Sequence, residues 1–149
     1  MKPFKFKLDP VLRYQTYKLR IELMKLARAQ KELLDAQEAI RRINERKRTA
    51  GVTLSAEQNR GMDGRKYHLH RAYLDGLNQE SVNAEAKRLE LAEHVSERRC
   101  AVEAERVKKE TLAHLKDQKK QAHIRNVDRI EQKEADELVG LRFRNGVLL

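Results

Sequence analysis

The chain has 149 residues, of which 38% are charged, 5% are aromatic and none is Trp, and its mean hydropathy is −0.84. So few large apolar side chains cannot fill a globular core, which leaves either a disordered polyelectrolyte or long helices packed along a narrow seam. The low content of helix-breaking residues, two Pro and six Gly, favours the helices. The chain has 33 basic and 23 acidic side chains, a formal net charge of +10, which indicates an acidic partner surface or a solvated coiled coil.

Residues 1–9 are predicted to form an extended, basic arm in front of the first helix, because both prolines of the chain lie in or next to this stretch. Phe4 and Phe6 lie on the same side of an extended segment, since successive side chains alternate, and the intervening lysines lie on the other side. We expect the two rings either to cover apolar side chains of the second helix, such as Leu112 and Leu115, or to dock into a partner protein.

The first helix is predicted over residues 10–48, with Asp9 as its cap and Pro10 in its first turn. Apolar residues recur there every seven positions, which is the pattern of a coiled-coil seam. The strong row consists of Leu12, Leu19, Leu26, Leu33 and Ile40. A weaker second row is predicted at Thr16, Leu23, Gln30, Gln37 and Asn44.

Residues 49–64 are predicted to be the turn region, because they contain three of the six glycines. The sharpest change of direction is expected at Gly51–Thr53, and the capping-box spacing after Ser55 allows a short helix to restart there. Alternatively, the first helix continues through Gly51 to about residue 60, which shortens the unpartnered part of the second helix without removing it.

The second helix is predicted over residues 65–142, followed by a tail at 143–149. A reversal near residue 57 pairs residue i with about residue 114 − i, so residues beyond about 105 have no partner within the chain. The apolar pattern thins out in that part of the helix and basic residues gather. The fold class is therefore all-α: a single domain, 1–149, forming a long two-helix antiparallel coiled-coil hairpin whose second helix is the longer one.

No pattern of catalytic, cofactor-binding or metal-ligating residues stands out. The glycines of "GMDGRK" lack the spacing of a phosphate-binding loop, and His68 and His70 point to different sides of a helix. Cys100, the single cysteine, excludes an internal disulfide and has no nearby histidine to activate it. We expect a protein that is not an enzyme and has no catalytic residues, no cofactor and no metal.

The N-terminus shows no signal-peptide pattern, because it lacks an apolar core of 7–15 residues. No run approaches the roughly 20 apolar residues that a membrane span requires. We expect a cytoplasmic protein.

Several segments, taken in order, resemble the flagellar FliJ family. They are "FKFKLDPVL" (4–12), "LARAQKEL" (26–33), "GVTLSAEQ" (51–58), "YLDGL" (73–77) and "LKDQKKQAHIRNVDRIEQKEADEL" (115–138). The resemblance implies a non-enzymatic stalk of the flagellar type III export apparatus, similar to the central stalk of rotary ATPases. Such a stalk sits in the pore of the hexameric export ATPase, contacts the cytoplasmic domain of the export gate and handles empty substrate chaperones. Its expected location is the inner face of the cell membrane, where it is held indirectly, and no nucleic acid is expected as a partner.

The resemblance also implies sites. The family's export-gate contact corresponds to Tyr73 and Leu77, which are alternatively ordinary seam residues. The ATPase contact is expected at the paired termini: Phe4, Phe6, Arg125, Arg129, Lys133 and Arg142. The alternatives are a basic coiled-coil adaptor that binds nucleic acid or a membrane surface, the equivalent stalk of a virulence secretion system, and a homodimeric structural rod.

Overall fold

The computed structural model describes residues 3–146, apart from the side chain of Asn145. Residues 1–2 of the predicted arm and 147–149 of the predicted tail lie outside the described residues. Two helices, α1 (Asp9–Arg60, 52 residues) and α2 (Gly64–Gly146, 83 residues), pack against each other as a helical hairpin, and residues 3–146 contain no strand. The predicted all-α hairpin with a longer second helix is confirmed.

The predicted position of the turn is wrong, and the alternative in which α1 continues to about residue 60 is right. Residues 49–60 are helical, and the chain reverses over residues 61–63. Gly51 costs a helix about 1 kcal/mol relative to Ala, whereas the burial of Leu54 one turn later contributes about 1.5–3 kcal/mol. Burial therefore prevails over the helix-breaking tendency of Gly51.

Gly61 ends α1 in a left-handed backbone conformation, with φ of +91°. Its N–H donates to the Gln58 carbonyl at 3.1 Å, and the Tyr67 N–H donates to the Asp63 carbonyl at 3.0 Å as α2 begins. The reversal thus uses the second glycine of the predicted turn region, because that position alone has the positive φ that glycine adopts without strain.

The strong apolar row of α1 is confirmed. All five of its predicted residues are buried or half-buried, and the row continues through Lys47 to Leu54. The predicted second row is wrong beyond Thr16: Thr16 is half-buried, but Leu23, Gln30, Gln37 and Asn44 are exposed. The second row instead lies one position earlier, at Gln15, Glu22, Ala29, Ala36, Ile43, Ala50 and Glu57. Three alanines in this row allow the partner backbone to approach closely.

The seam of α2 follows the same alternation of three and four residues. Its first members are His70, Leu74, Leu77, Ser81, Ala84, Arg88, Leu91 and Val95. Leu69 and Tyr73, two of the apolar residues expected on this helix, are exposed instead, because the seam passes through the residues that follow each of them. Small and charged residues fill much of the seam, so each helical turn buries little apolar area.

Contacts divide the chain into two units. The turn unit is Arg20–Glu103, and the terminal unit combines Met1–Leu19 with Ala104–Leu149. Within the turn unit, Arg46 contacts Glu80 at 2.6 Å and Glu22 lies 3.8 Å from Arg98, so the helices run antiparallel. A reversal near residue 57 would have placed Glu22 opposite Ala92. The later turn moves every partner toward the C-terminus.

The terminal unit corrects the expectation that residues beyond about 105 are unpartnered. Gln15 donates through its side-chain amide to the Glu105 carboxylate, and Lys116 donates to Asp9 at 2.6 Å. Both contacts join the start of α1 to α2, so the pairing continues to Lys116. From residue 128 to residue 144, all residues are exposed.

Candidate partner-binding surfaces

The two predicted gate-contact residues lie in different environments within the turn unit. Leu77 is only 3% exposed and belongs to the seam, whereas Tyr73 is 52% exposed, one helical turn earlier. The Tyr73 ring is therefore accessible at the surface, whereas Leu77 packs in the seam between α1 and α2. The gate contact stays a prediction for which Tyr73 supplies the accessible surface.

Tyr73 lines a groove of about 520 Å³ between the two helices of the turn unit. Arg42, Arg46 and Thr49 of α1 lie on the opposite wall, and His70 lies beside Tyr73 on α2. A cation and an aromatic ring facing one recess are typical of protein-binding surfaces, where Arg and Tyr are enriched. Sequence reasoning found Tyr73 but assigned no role to the α1 wall, although Arg42 and Arg46 lie within the predicted first helix.

An ion cluster holds the turn end of this groove together. The Glu57 carboxylate accepts from Lys66 at 3.1 Å and lies 2.9 Å from a ring nitrogen of His70. The hydrogen bond from Lys66 is the main cause that holds the pKa of the Glu57 carboxyl below its usual value, and His70 adds to it. Because Glu57 lies on α1 and both partners lie on α2, the cluster fixes the register of the helices next to the reversal.

The N-terminal arm lies along α2 in the terminal unit, which is one of the two expected alternatives, and docking into a partner protein stays a prediction. Phe4 and Phe6 are half-buried, and the Phe4 ring lies 5.7 Å from the His123 ring between centroids, with a tilt of 43°. The contact is at Lys119–Asn126, about two helical turns beyond the predicted targets Leu112 and Leu115. The later turn accounts for this displacement, since it moves the start of α1 further along α2.

Asp9 connects the arm to α2 rather than acting as the predicted cap. Its carboxylate accepts from Lys116 at 2.6 Å and from Arg13 at 3.0 Å. The Lys116 hydrogen bond is the main cause that keeps the pKa of the Asp9 carboxyl below its usual value. The first-turn position also suits a carboxylate, because the helix N-terminus carries a partial positive charge.

A polar layer that sequence reasoning missed lies one turn into α1. Gln15 is 7% exposed, and its side-chain amide donates to both the carbonyl and the carboxylate of Glu105. Lys18 and Lys108 lie on the same carboxylate at 3.9 and 3.0 Å. Donation from Gln15 and Lys108 lowers the pKa of the Glu105 carboxyl. The signal was present in the sequence as a polar residue three positions after Leu12, where a seam residue belongs.

The predicted ATPase-contact residues of α2 form an exposed basic face. Arg125, Arg129 and Lys133 are spaced by four and so neighbour one another on the helix surface. Arg142 is exposed further along. None of these four side chains has an ion pair among the described residues. Their positive charges are thus exposed to solvent in the free chain and can pair with an acidic partner.

No helix within residues 3–146 is both long and apolar enough to cross a membrane. No group of three or more His, Cys, Asp or Glu side chains in this part of the chain has an arrangement that could hold a metal ion.

The antiparallel pairing of α1 and α2 places the chain in the class of all-helical proteins built on a two-helix hairpin. Comparison with protein families identifies the family of this chain, because the family model described as "Flagellar FliJ protein" matches residues 4–147. The chain belongs to this family and is a component of flagellar protein export. No curated protein and no solved structure matches the chain significantly.

Proposed function

We propose that the protein is the non-enzymatic stalk of the flagellar type III export apparatus. In this role it inserts into the pore of the hexameric export ATPase, contacts the cytoplasmic domain of the export gate and handles empty substrate chaperones. The observation that carries the proposal is the family match over residues 4–147. The hairpin supports it, because the two surfaces assigned to different partners lie in different units of the chain.

The ATPase contact belongs to the terminal unit. The exposed face of Arg125, Arg129 and Lys133 suits an acidic pore lining, since none of the three is engaged within the described residues. A single exposed ion pair is worth only about 0–1 kcal/mol, so several cations have to act together. The gate contact belongs to the turn unit, where Tyr73 and the groove beside it are accessible.

Stimulation of the purified export ATPase tests the proposal. Reversing Arg125, Arg129 and Lys133 together to Glu should abolish stimulation while the helix content measured by circular dichroism is retained. A matched control reverses three exposed basic residues of the turn unit, Arg20, Lys31 and Arg99, and makes the same change in net charge. The proposal fails if both triple variants stimulate equally, or if binding to single-stranded DNA or anionic vesicles exceeds binding to the ATPase.

A further inference from the structure

The arm and α2 enclose an open groove of about 810 Å³ in the terminal unit. Residues 3–8 form one wall, and Lys119, Ala122, His123 and Asn126 form the other. Its apolar side chains are those of Pro3, Phe4, Phe6, Leu8 and Ala122. Its volume is within the range of about 300–1,000 Å³ typical of ligand sites, so it has room for a few side chains of a partner.

The rim of this groove is basic and uncompensated. Lys5, Lys7 and Lys119 are exposed, and within residues 3–146 none of them has an ion pair. The Asp9 carboxylate lines a second recess, which shares Phe4, Lys5 and Phe6 with this groove, and it is already engaged by Lys116 and Arg13. The groove therefore combines an apolar floor with unneutralised positive charge, and an occupant has to be complementary to both.

We propose that this groove binds an acidic peptide segment of a partner protein, which inserts an apolar side chain beside Phe4 and Phe6 while its carboxylates face the lysines. A recess between an arm and a helix fits an extended segment better than a flat bilayer surface. The site includes the two aromatic residues assigned above to the ATPase, but it does not depend on that assignment, because any segment of this composition satisfies the chemistry.

Fluorescence anisotropy of the full chain with short labelled peptides tests the site. A peptide that alternates Glu with Phe and Leu should bind, with affinity that falls as salt rises. Replacing its apolar residues by Ser should weaken binding about tenfold or more, the loss expected when an apolar side chain is no longer buried. A peptide with Lys in place of Glu should not bind detectably. Equal binding of the acidic peptides with and without apolar residues would overturn the proposal.

Two neighbouring lysines provide the decisive comparison. Lys119→Glu changes the groove, whereas Lys120→Glu makes the same change in charge about 100° away around the helix. We expect about tenfold weaker binding for Lys119→Glu and at most about a twofold change for Lys120→Glu. The double change Phe4→Ser, Phe6→Ser should abolish binding.

Equal losses for the two lysine variants would show attraction by net charge alone and would overturn the proposal. So would anionic vesicles or single-stranded DNA that bind tightly and displace the peptide. Because the peptides are synthetic, failure of this site leaves the measured stimulation of the export ATPase unaffected.

Discussion

Tyr73 and Leu77 show how one turn of helix separates a contact residue from a structural one. Leu77 is at the seam and Tyr73 is beside it at the surface. Both residues are apolar and four apart, so sequence alone assigned them a common role. The seam position is decided by the facing helix, which places His70, Leu74 and Leu77 inside and leaves Tyr73 outside.

Single substitutions at these two positions should therefore diverge. Leu77→Ala should lower the free energy of unfolding by about 2–5 kcal/mol, because it leaves a cavity in the seam. Tyr73→Ala should change stability little and weaken binding to the gate domain. Thermal melting and a binding titration with the isolated gate domain separate the two effects. Loss of gate binding by Leu77→Ala alone, with Tyr73→Ala unchanged, would remove Tyr73 from the contact.

The Asp9 carboxyl makes the stability of the terminal unit depend on pH in the acidic range. Its pKa is lowered in the folded chain from an ordinary value of 3.8, chiefly by the Lys116 hydrogen bond. The stability that the ionised Asp9 carboxylate provides is fully present at pH values above its ordinary pKa. It is lost as the pH falls through the lowered pKa of the folded chain. The difference in melting temperature between the parent chain and Asp9→Asn should therefore be present at neutral pH and vanish in strong acid.

Asp117→Asn is a suitable control, because Asp117 is exposed on α2 next to Lys116 and has no ion pair among the described residues. It should leave the melting temperature nearly unchanged at every pH. A difference for Asp9→Asn that persists undiminished well below its lowered pKa would contradict the assigned ion pair.

At the scale of the helices, the strong leucine row of α1 was predictable and its partner row was not. A heptad allows the second row to follow the first after three or four residues, and the apolar Leu23 favoured four. The structure uses three, which buries Ala29, Ala36 and Ile43 at the expense of admitting Glu22 to the seam. The spacing of the alanines was the available signal, but alanine is common throughout such helices and so is weak evidence.

The turn was mislocated for a related reason. The turn was predicted where glycines are most frequent, whereas its actual position depends on which glycine adopts a positive φ. Gly51 is helical, and an added Cβ would meet nothing within 4 Å; Gly61 has φ of +91°. The packing of Leu54 and Glu57 against α2 determines at which of these two glycines the chain reverses.

These two glycines should respond oppositely to the same substitution. Gly51→Ala should stabilise the chain by about 0.4–1 kcal/mol, because it reduces the freedom of the unfolded state without strain. Gly61→Ala should destabilise it, since alanine in the left-handed region is strained. Chemical denaturation measures both. Destabilisation by Gly51→Ala would mean that residues 49–60 are not helical in solution.

At the scale of the whole molecule, the family resemblance supplied the function that composition and heptads could not. A charged coiled coil has the same pattern whether it is a stalk, an adaptor or a structural rod. The match over residues 4–147 settles the family. Contact between the arm and α2 was one of two expected alternatives. The expected target on α2 was derived from the predicted turn, so the error in the turn also displaced the target.

The arm itself yields a prediction for the assembled complex. Phe4→Ser with Phe6→Ser should weaken binding to the export ATPase more than it lowers the melting temperature, because both rings are only half-buried on α2. Calorimetry with the purified ATPase and thermal melting of the variant provide the comparison. Intact ATPase binding after removal of the arm would restrict the two rings to an internal role.

The contacts of the terminal unit join residues that are synthesised far apart in time. Gln15 and Glu105 are separated by 90 residues and Asp9 and Lys116 by 107, whereas Glu57 and His70 in the turn unit are separated by 13. At roughly 5–20 residues per second, the ribosome needs roughly 5–18 s to pass from Gln15 to Glu105. During that interval the aromatic arm has left the ribosome without the helix it packs against. The arm is therefore made well before the helix it packs against, and it is among the last segments to fold.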